Sequence, residues 1–332
     1  MGSDSVVSAG PDRSCVSLVS IFASAILPVF ALAFVGFLLG QWKGVDVGPL
    51  NTVAVYVLAP ALAFDSLATS PLAGETLARI AVGVAVFTLL MAAVAEVAGR
   101  ALDVEEPLLS ALVLVSISPN SGNYGIPLSE FAFGATGRST AVVFMTAQGV
   151  LIYTVGVYIA ARSGAGSWTE GVRRVFAVPL IYAVAAALAA RALDLVPPVD
   201  GTAMTTVGLV GDSAIPVMLL ILGIEVAGSD YTVALREVGA ATLLKMGVAP
   251  LVGVAVALAV GFGDDTVTSV FVLEAAAPAA VTPLILLIEF GDDSPVAGTT
   301  VSEYASTVVL ATMLVSVPVM TLLISLLQGG LL

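Results

Sequence analysis

Between Ser116 and Pro127 the chain reads Ser-Ile-Ser-Pro-Asn-Ser-Gly-Asn-Tyr-Gly-Ile-Pro, a cluster of hydrogen-bonding side chains and helix breakers inside an otherwise apolar stretch. Pro119 has no N–H and frees the carbonyl of Val115. Pro127 frees that of Asn123, and Gly122 and Gly125 each cost about 1 kcal/mol in a helix. A milder version follows at Glu274, Pro278, Ala279, Ala280, Val281, Thr282 and Pro283, where Pro278 is expected to free the carbonyl of Glu274. An interrupted helix presents unpaired N–H groups and partial positive charge at the start of one half, and unpaired carbonyls at the end of the other. An anion suits the first and a cation the second. Proline kinks that serve only packing are the plainer reading, but packing alone does not call for Asn120 and Asn123.

These residue types suggest binding chemistry. Pro119, Asn120, Ser121, Gly122, Asn123 and Tyr124 are the expected substrate contacts at the first break, with Pro278 and Ala279 at the second. Lys245 stands among apolar residues, where an ammonium needs an anionic partner or a wet cavity. Contact with substrate and a structural pair with a carboxylate are both open to it. Asp212, one turn before Pro216, is expected to line the same cavity. Glu274, with Ser116 and Ser118, offers hard oxygen atoms for a coupling ion, sodium or a proton. Asp65 and Glu225 fall near span ends, where interfacial solvation is the simpler account, and Glu96, Glu130, Glu289 and Glu303 read the same way.

Such groups must be positioned by elements suited to lipid. Of 332 residues, 59% are hydrophobic and 11% charged, about half the charge of an average soluble domain. With a mean hydropathy of +1.09, too little polar material remains to cover a water-facing surface. Apolar runs lie at about 17–41, 47–67, 77–99, 107–134, 139–161, 172–193, 203–227, 237–261, 266–290 and 300–328. At about 20 residues per span these predict an all-α integral membrane protein of ten helices. Residues 1–16 read as a polar N-terminal tail, not a cleaved signal.

Charge narrows the field further. Eleven Lys and Arg against 24 Asp and Glu, with no His, give a net charge of −13. That argues against nucleic-acid binding, which needs a basic face. His-based zinc chemistry and, with Cys15 alone, thiolate clusters are excluded. No cofactor is expected, and an enzyme is not. Acidic pairs such as Asp264–Asp265 and Asp292–Asp293 suit solvated loops, or the surface of a halophile, where salt screens like charges.

Alternate connections divide the basic residues. Arg13, Arg79, Arg138 and Arg191 fall on one face; Lys43, Arg100, Arg162, Arg173, Arg174 and Arg236 fall on the other. Positive charge collects in the cytoplasm, so both termini are expected outside and the 162–171 connection inside. A repeat is also visible. Pro60 matches Pro216, Pro119 matches Pro278, and Glu130-Phe131 matches Glu289-Phe290, at displacements of 156 to 159 residues. That is five spans with their loops, so 17–161 and 172–328 are expected to form a 5+5 inverted repeat, the pattern of secondary transporters.

The chain resembles the auxin efflux carrier family, which includes plant, bacterial and archaeal members. The likeness rests on Ile26 to Phe30, Leu50 to Val53, Tyr56 to Leu62, Asn120 to Leu128, Gly211 to Pro216 with Gly223, Lys245 to Pro250 and Ala277 to Val281. The resemblance implies crossing broken helices 4 and 9, a scaffold of helices 1, 2, 6 and 7, and a transport bundle of helices 3–5 and 8–10. It also implies a homodimer in the cell membrane and export of small organic anions. The long central loop of the plant proteins is missing. In placement Glu274 is similar to a sodium-liganding glutamate of the related bile acid:sodium symporter fold.

Three readings follow. One is a carrier that exports a small carboxylate by alternating access. Another is a sodium- or proton-coupled symporter on the same fold. The third is a membrane sensor or partner subunit with a degenerate site.

Overall fold

A computed structural model describes residues 27–162, 176–177, 179–227, 235–291 and 299–330. Expectations that concern Arg13, Cys15, the 163–171 segment, Arg173 and Arg174 lie outside these residues, as do the side chains of Glu225, Arg236 and Glu289. Among the described residues the secondary structure is helical: α1 (Leu27–Lys43), α2 (Val47–Ala68), α3 (Gly74–Ala101), α4 (Leu108–Ile117), α5 (Ser121–Ala161), α6 (Pro179–Ala192), α7 (Thr202–Asp212), α8 (Ala214–Ala227), α9 (235–260), α10 (Asp265–Ala276), α11 (Thr282–Phe290) and α12 (Val301–Gln328). Six stretches are long and apolar enough to cross a membrane: Val47–Ala68, Gly74–Ala101, Ser121–Ala161, Thr202–Ile224, Val238–Val260 and Val301–Gln328. Trp42, Leu209 and Leu251, all at least 70% exposed, stand on an outer surface that water would not favour.

Proline places several irregularities. Wide π turns at Ala54–Leu58, Ser121–Gly125 and Leu244–Val248 each precede a proline by one intervening residue, Pro60, Pro127 and Pro250 respectively. Each of these prolines falls in the first turn of the α segment that follows, where its missing N–H is tolerated. The α5 helix is not one rod. Gly134, with φ 63° and ψ −150°, turns the chain between 121–133 and 135–161, so the connection expected across 134–138 contracts to this glycine.

The packing joins distant parts of the chain. α1 lies along α8 at near-backbone contact: a Cβ on Gly223 would fall 1.8 Å from the Ala33 carbonyl oxygen, and one on Gly36 would fall 2.2 Å from that of Leu220. α6 and α7 both pack on α2. Elsewhere α3, α5, α9 and α10 share a core around Phe144, whose ring centroid is 5.3 Å from Phe271 and 6.4 Å from Phe87.

Candidate functional site

α4 ends at Ile117 and α5 begins at Ser121; α10 ends at Ala276 and α11 begins at Thr282. The extended residues left between them meet. Asn120 N–H donates to the Pro278 carbonyl at 2.8 Å and Ala280 N–H donates to that of Ser118 at 2.9 Å, pairing Pro119 with Ala279 as two antiparallel strands would. Both interruptions thereby satisfy part of the backbone that leaving a helix strands. Neighbouring helices supply more. Ala279 N–H donates to the Thr312 hydroxyl of α12 at 3.1 Å, while Gln148 of α5 donates to the Pro119 carbonyl at 3.2 Å and accepts from Ser121 at 3.0 Å. Asn120 caps the following turn, its side-chain oxygen accepting from Asn123 N–H.

A cavity of about 280 Å³ opens beside this crossing. Ser118, Pro119, Asn120, Ser121, Gly122 and Asn123 form one wall, and Ala280, Thr282 and Ile285 another. Asn51, Ala54, Val55 and Ala59 of α2, with Leu180 of α6 and Met218 of α8, face them. The 145–153 part of α5 closes the remaining side through Met145, Gln148, Gly149, Ile152 and Tyr153. None of these lining residues is charged. The Ser118 hydroxyl borders the cavity, is 1% exposed and has no hydrogen-bond partner. Starts of both second halves, at Ser121 and Thr282, lie on the wall, so the positive ends of their helix dipoles border the site without a cationic side chain.

Several expected contacts lie elsewhere. Tyr124 points away from the cavity, buried, and its hydroxyl accepts from Ser316 of α12 at 3.1 Å. Pro278 and Ala279 sit at the crossing through their backbone and do not line the cavity. Ser116 turns its hydroxyl onto the Leu112 carbonyl, one helical turn back. Asp212 is not a lining residue: it accepts from Arg138 at 2.7 Å, because α7 brings it beside the turn region of α5. The same Arg138 also reaches Asp65 and Glu130, whose oxygens lie 3.1 and 3.8 Å from its guanidinium. Glu96 pairs with Arg100 and Arg162. Glu303 forms a capping box with Thr300 at the start of α12.

Lys245 and Glu274 form a buried polar nest behind the crossing. Lys245 Nζ donates to the Ala275 carbonyl at 3.0 Å, a cation at the C-terminal end of α10, where the helix dipole favours it. Glu274 Oε1 accepts from Ser129 at 2.7 Å, whereas Oε2 has no partner and lies against Gly125, where a Cβ would fall 2.2 Å from it. The Glu274 carbonyl is not free: Ala277 N–H closes a tighter last turn on it at 3.1 Å. In the sequence Arg138 reads only as a loop charge, and Gln148, Thr312 and Ser316 belong to no motif; a Gln within an apolar run is the one available signal among those three.

Six long apolar helices, with an uncharged polar cavity at the meeting of two interrupted helices, suit a multi-pass membrane protein, and the family match makes it a membrane transport protein. The chain belongs to the membrane transport protein family, the auxin efflux carrier type, whose family model matches residues 21–170 and 169–324. It is 26% identical over 271 residues to an "Uncharacterized transporter" of Methanothermobacter thermautotrophicus, covering 80% of this chain and 87% of that one. It is also 26% identical over 320 residues to a Rhizobium meliloti protein described as "Putative malonate transporter", covering 92% and 95%.

Proposed function

We propose that this protein is a secondary carrier for a small organic anion, working by alternating access, with the substrate carboxylate at the crossing of the two interrupted helices. The observation that carries the reading is the unpartnered Ser118 hydroxyl at a cavity walled by both interruptions. A carboxylate there accepts from Ser118 and from the side-chain amides of Asn120 and Asn123, and the two helix starts offset its charge. The size of the cavity suits an acid of few carbons, and the name of the Rhizobium relative agrees with that class.

The chain crosses the membrane ten times in this reading: α4 with 121–133 forms one passage, 135–161 the next, α7 with α8 another, and α10 with α11 another. The two halves form a 5+5 inverted repeat. α1, α2, α6, α7 and α8 form a scaffold, supported by their mutual packing, and α3–α5 with α9–α12 form the moving bundle. Both termini lie outside, from the count of basic residues; export and a homodimer follow the family resemblance. A halophilic source is proposed from the acidic excess alone.

One observation favours a coupled version. Glu274 Oε2 is buried without a partner beside the crossing, and a proton or sodium ion there would make up the missing interaction. Binding of that ion and of substrate then reinforce each other.

The test is thermal stabilisation of purified protein by a panel of mono- and dicarboxylates, then flux of the best ligand in proteoliposomes with and without a sodium or pH gradient. Stabilisation by a small carboxylate with matching flux is expected. A protein that binds none of them, or binds and moves none, refutes the carrier. Glu274→Gln is expected to bind substrate and lose the ion dependence; unchanged ion dependence removes the coupling role.

A further inference from the structure

The two ends of the molecule are held differently. The cavity lies toward the end where α2 starts (Asn51), α5 finishes (Tyr153) and α6 starts (Leu180). On that end, among the described residues, Arg162 pairs with Glu96 and Glu106, and Arg100 pairs with Glu96, all within α3, the α3–α4 connection and α5. Among the described residues no ion pair there reaches α1, α2, α6, α7 or α8. Arg138 sits at the opposite end of 135–161, about 16 Å from Gly149 along the helix at 1.5 Å per residue. It bonds Asp65 of α2 at 3.1 Å and Asp212 of α7 at 2.7 Å. Beside it Ser139 donates to the Ser66 carbonyl at 2.9 Å, and both serines are at most 2% exposed.

Glu130 adds a second element. It belongs to 121–133, across the Gly134 turn from Arg138, and so to the same side of the contact as the arginine. Its oxygen stands 3.8 Å from the guanidinium, while its Oε2 and the Arg138 Nε are both buried and have no hydrogen-bond partner. A donor and an acceptor on one body are thus spare while the guanidinium is clasped by the other body.

We propose that Arg138 is a latch: clasped by Asp65 and Asp212 it holds the face opposite the cavity shut, and when the bundle moves it transfers to Glu130. This rests on the division into scaffold and moving bundle. The transfer keeps the guanidinium paired in both states, so opening does not strand a partly buried cation. Glu130 therefore lowers the free energy of the opened state, and Asp65 and Asp212 lower that of the closed one. Their removal must act in opposite directions.

The experiment follows that sign. In a Cys15→Ala background, Ser66→Cys places the probe beneath the latch, and a membrane-impermeant maleimide is applied to the Arg138 face of sealed proteoliposomes of each orientation. Labelling speed reports the population of the opened face. Asp65→Asn and Asp212→Asn are expected to raise it by about tenfold or more, and Glu130→Gln to lower it. A mere structural loosening would raise it in all three. Unchanged labelling in Asp212→Asn, faster labelling in Glu130→Gln, or no labelling in any variant overturns the latch. The readout needs no substrate: diverging labelling in a protein that moves no acid upholds the latch and sinks only the anion-carrier reading. Flux with uniform labelling does the reverse.

Discussion

Gly125→Ala is the most discriminating substitution at the crossing. Gly125 has φ −65° and ψ −53°, so alanine fits its backbone, and in isolation the change would favour a helix by about 0.5–1 kcal/mol. Its surroundings reverse that sign. The new methyl carbon would fall 2.2 Å from Glu274 Oε2 and 2.7 Å from the carboxyl carbon, far inside van der Waals contact, so the carboxylate must swing away. That breaks the 2.7 Å bond from Ser129 in a place without solvent to replace it, and leaving buried polar groups unpaired costs about 1–3 kcal/mol. The net expectation is a loss of up to about 2.5 kcal/mol. In a Glu274→Ala background the obstacle is gone and the same Gly125→Ala should stabilise. Apparent melting temperatures of the four proteins in detergent form a double-mutant cycle. A melting temperature lowered equally by Gly125→Ala in both backgrounds would refute a clash with Glu274.

Other perturbations probe separate contacts. Asn123→Ala should weaken carboxylate binding tens-fold with little change in melting temperature, while Asn120→Ala should do both, because it also removes the cap on Asn123 N–H, worth about 1 kcal/mol; titration and melting of the two variants separate these effects. Thr312→Val keeps the volume but leaves Ala279 N–H unpaired in the interior, costing about 1–3 kcal/mol, which serine at that position should largely restore. Gly223→Ala should force α1 from α8 and lower the yield of folded protein on size-exclusion chromatography; a monodisperse, wild-type-stable variant would contradict the 1.8 Å approach.

Both interruptions could be read from Pro119, Gly122 and Pro278, since in an apolar run such residues act through local backbone chemistry. The asparagines beside them turned out to border the cavity for the same local reason. Asp65 and Asp212 could not be assigned, because what decides their environment is Arg138, more than 70 residues away in sequence on another helix. Counted by connections, Arg138 is a loop charge, and only the tight turn at Gly134 draws it against two other helices. Tyr124 misled for a geometric reason: in the wide turn that opens α5 its ring faces α12, while Asn123, one residue earlier, faces the cavity.

The crossing itself is stitched by main-chain groups, Asn120 N–H to the Pro278 carbonyl and Ala280 N–H to the Ser118 carbonyl. Bonds of that kind are indifferent to the side chains that flank them, and the two prolines carry no N–H that would otherwise need a partner there. Cavity-facing residues whose side chains bond no backbone at the joint can therefore be exchanged for others without unpicking it. Selection for a new solute, or a designer seeking one, has a fixed frame with replaceable fittings: positions 118, 123 and 282 can be rewritten while the backbone path stays as it is.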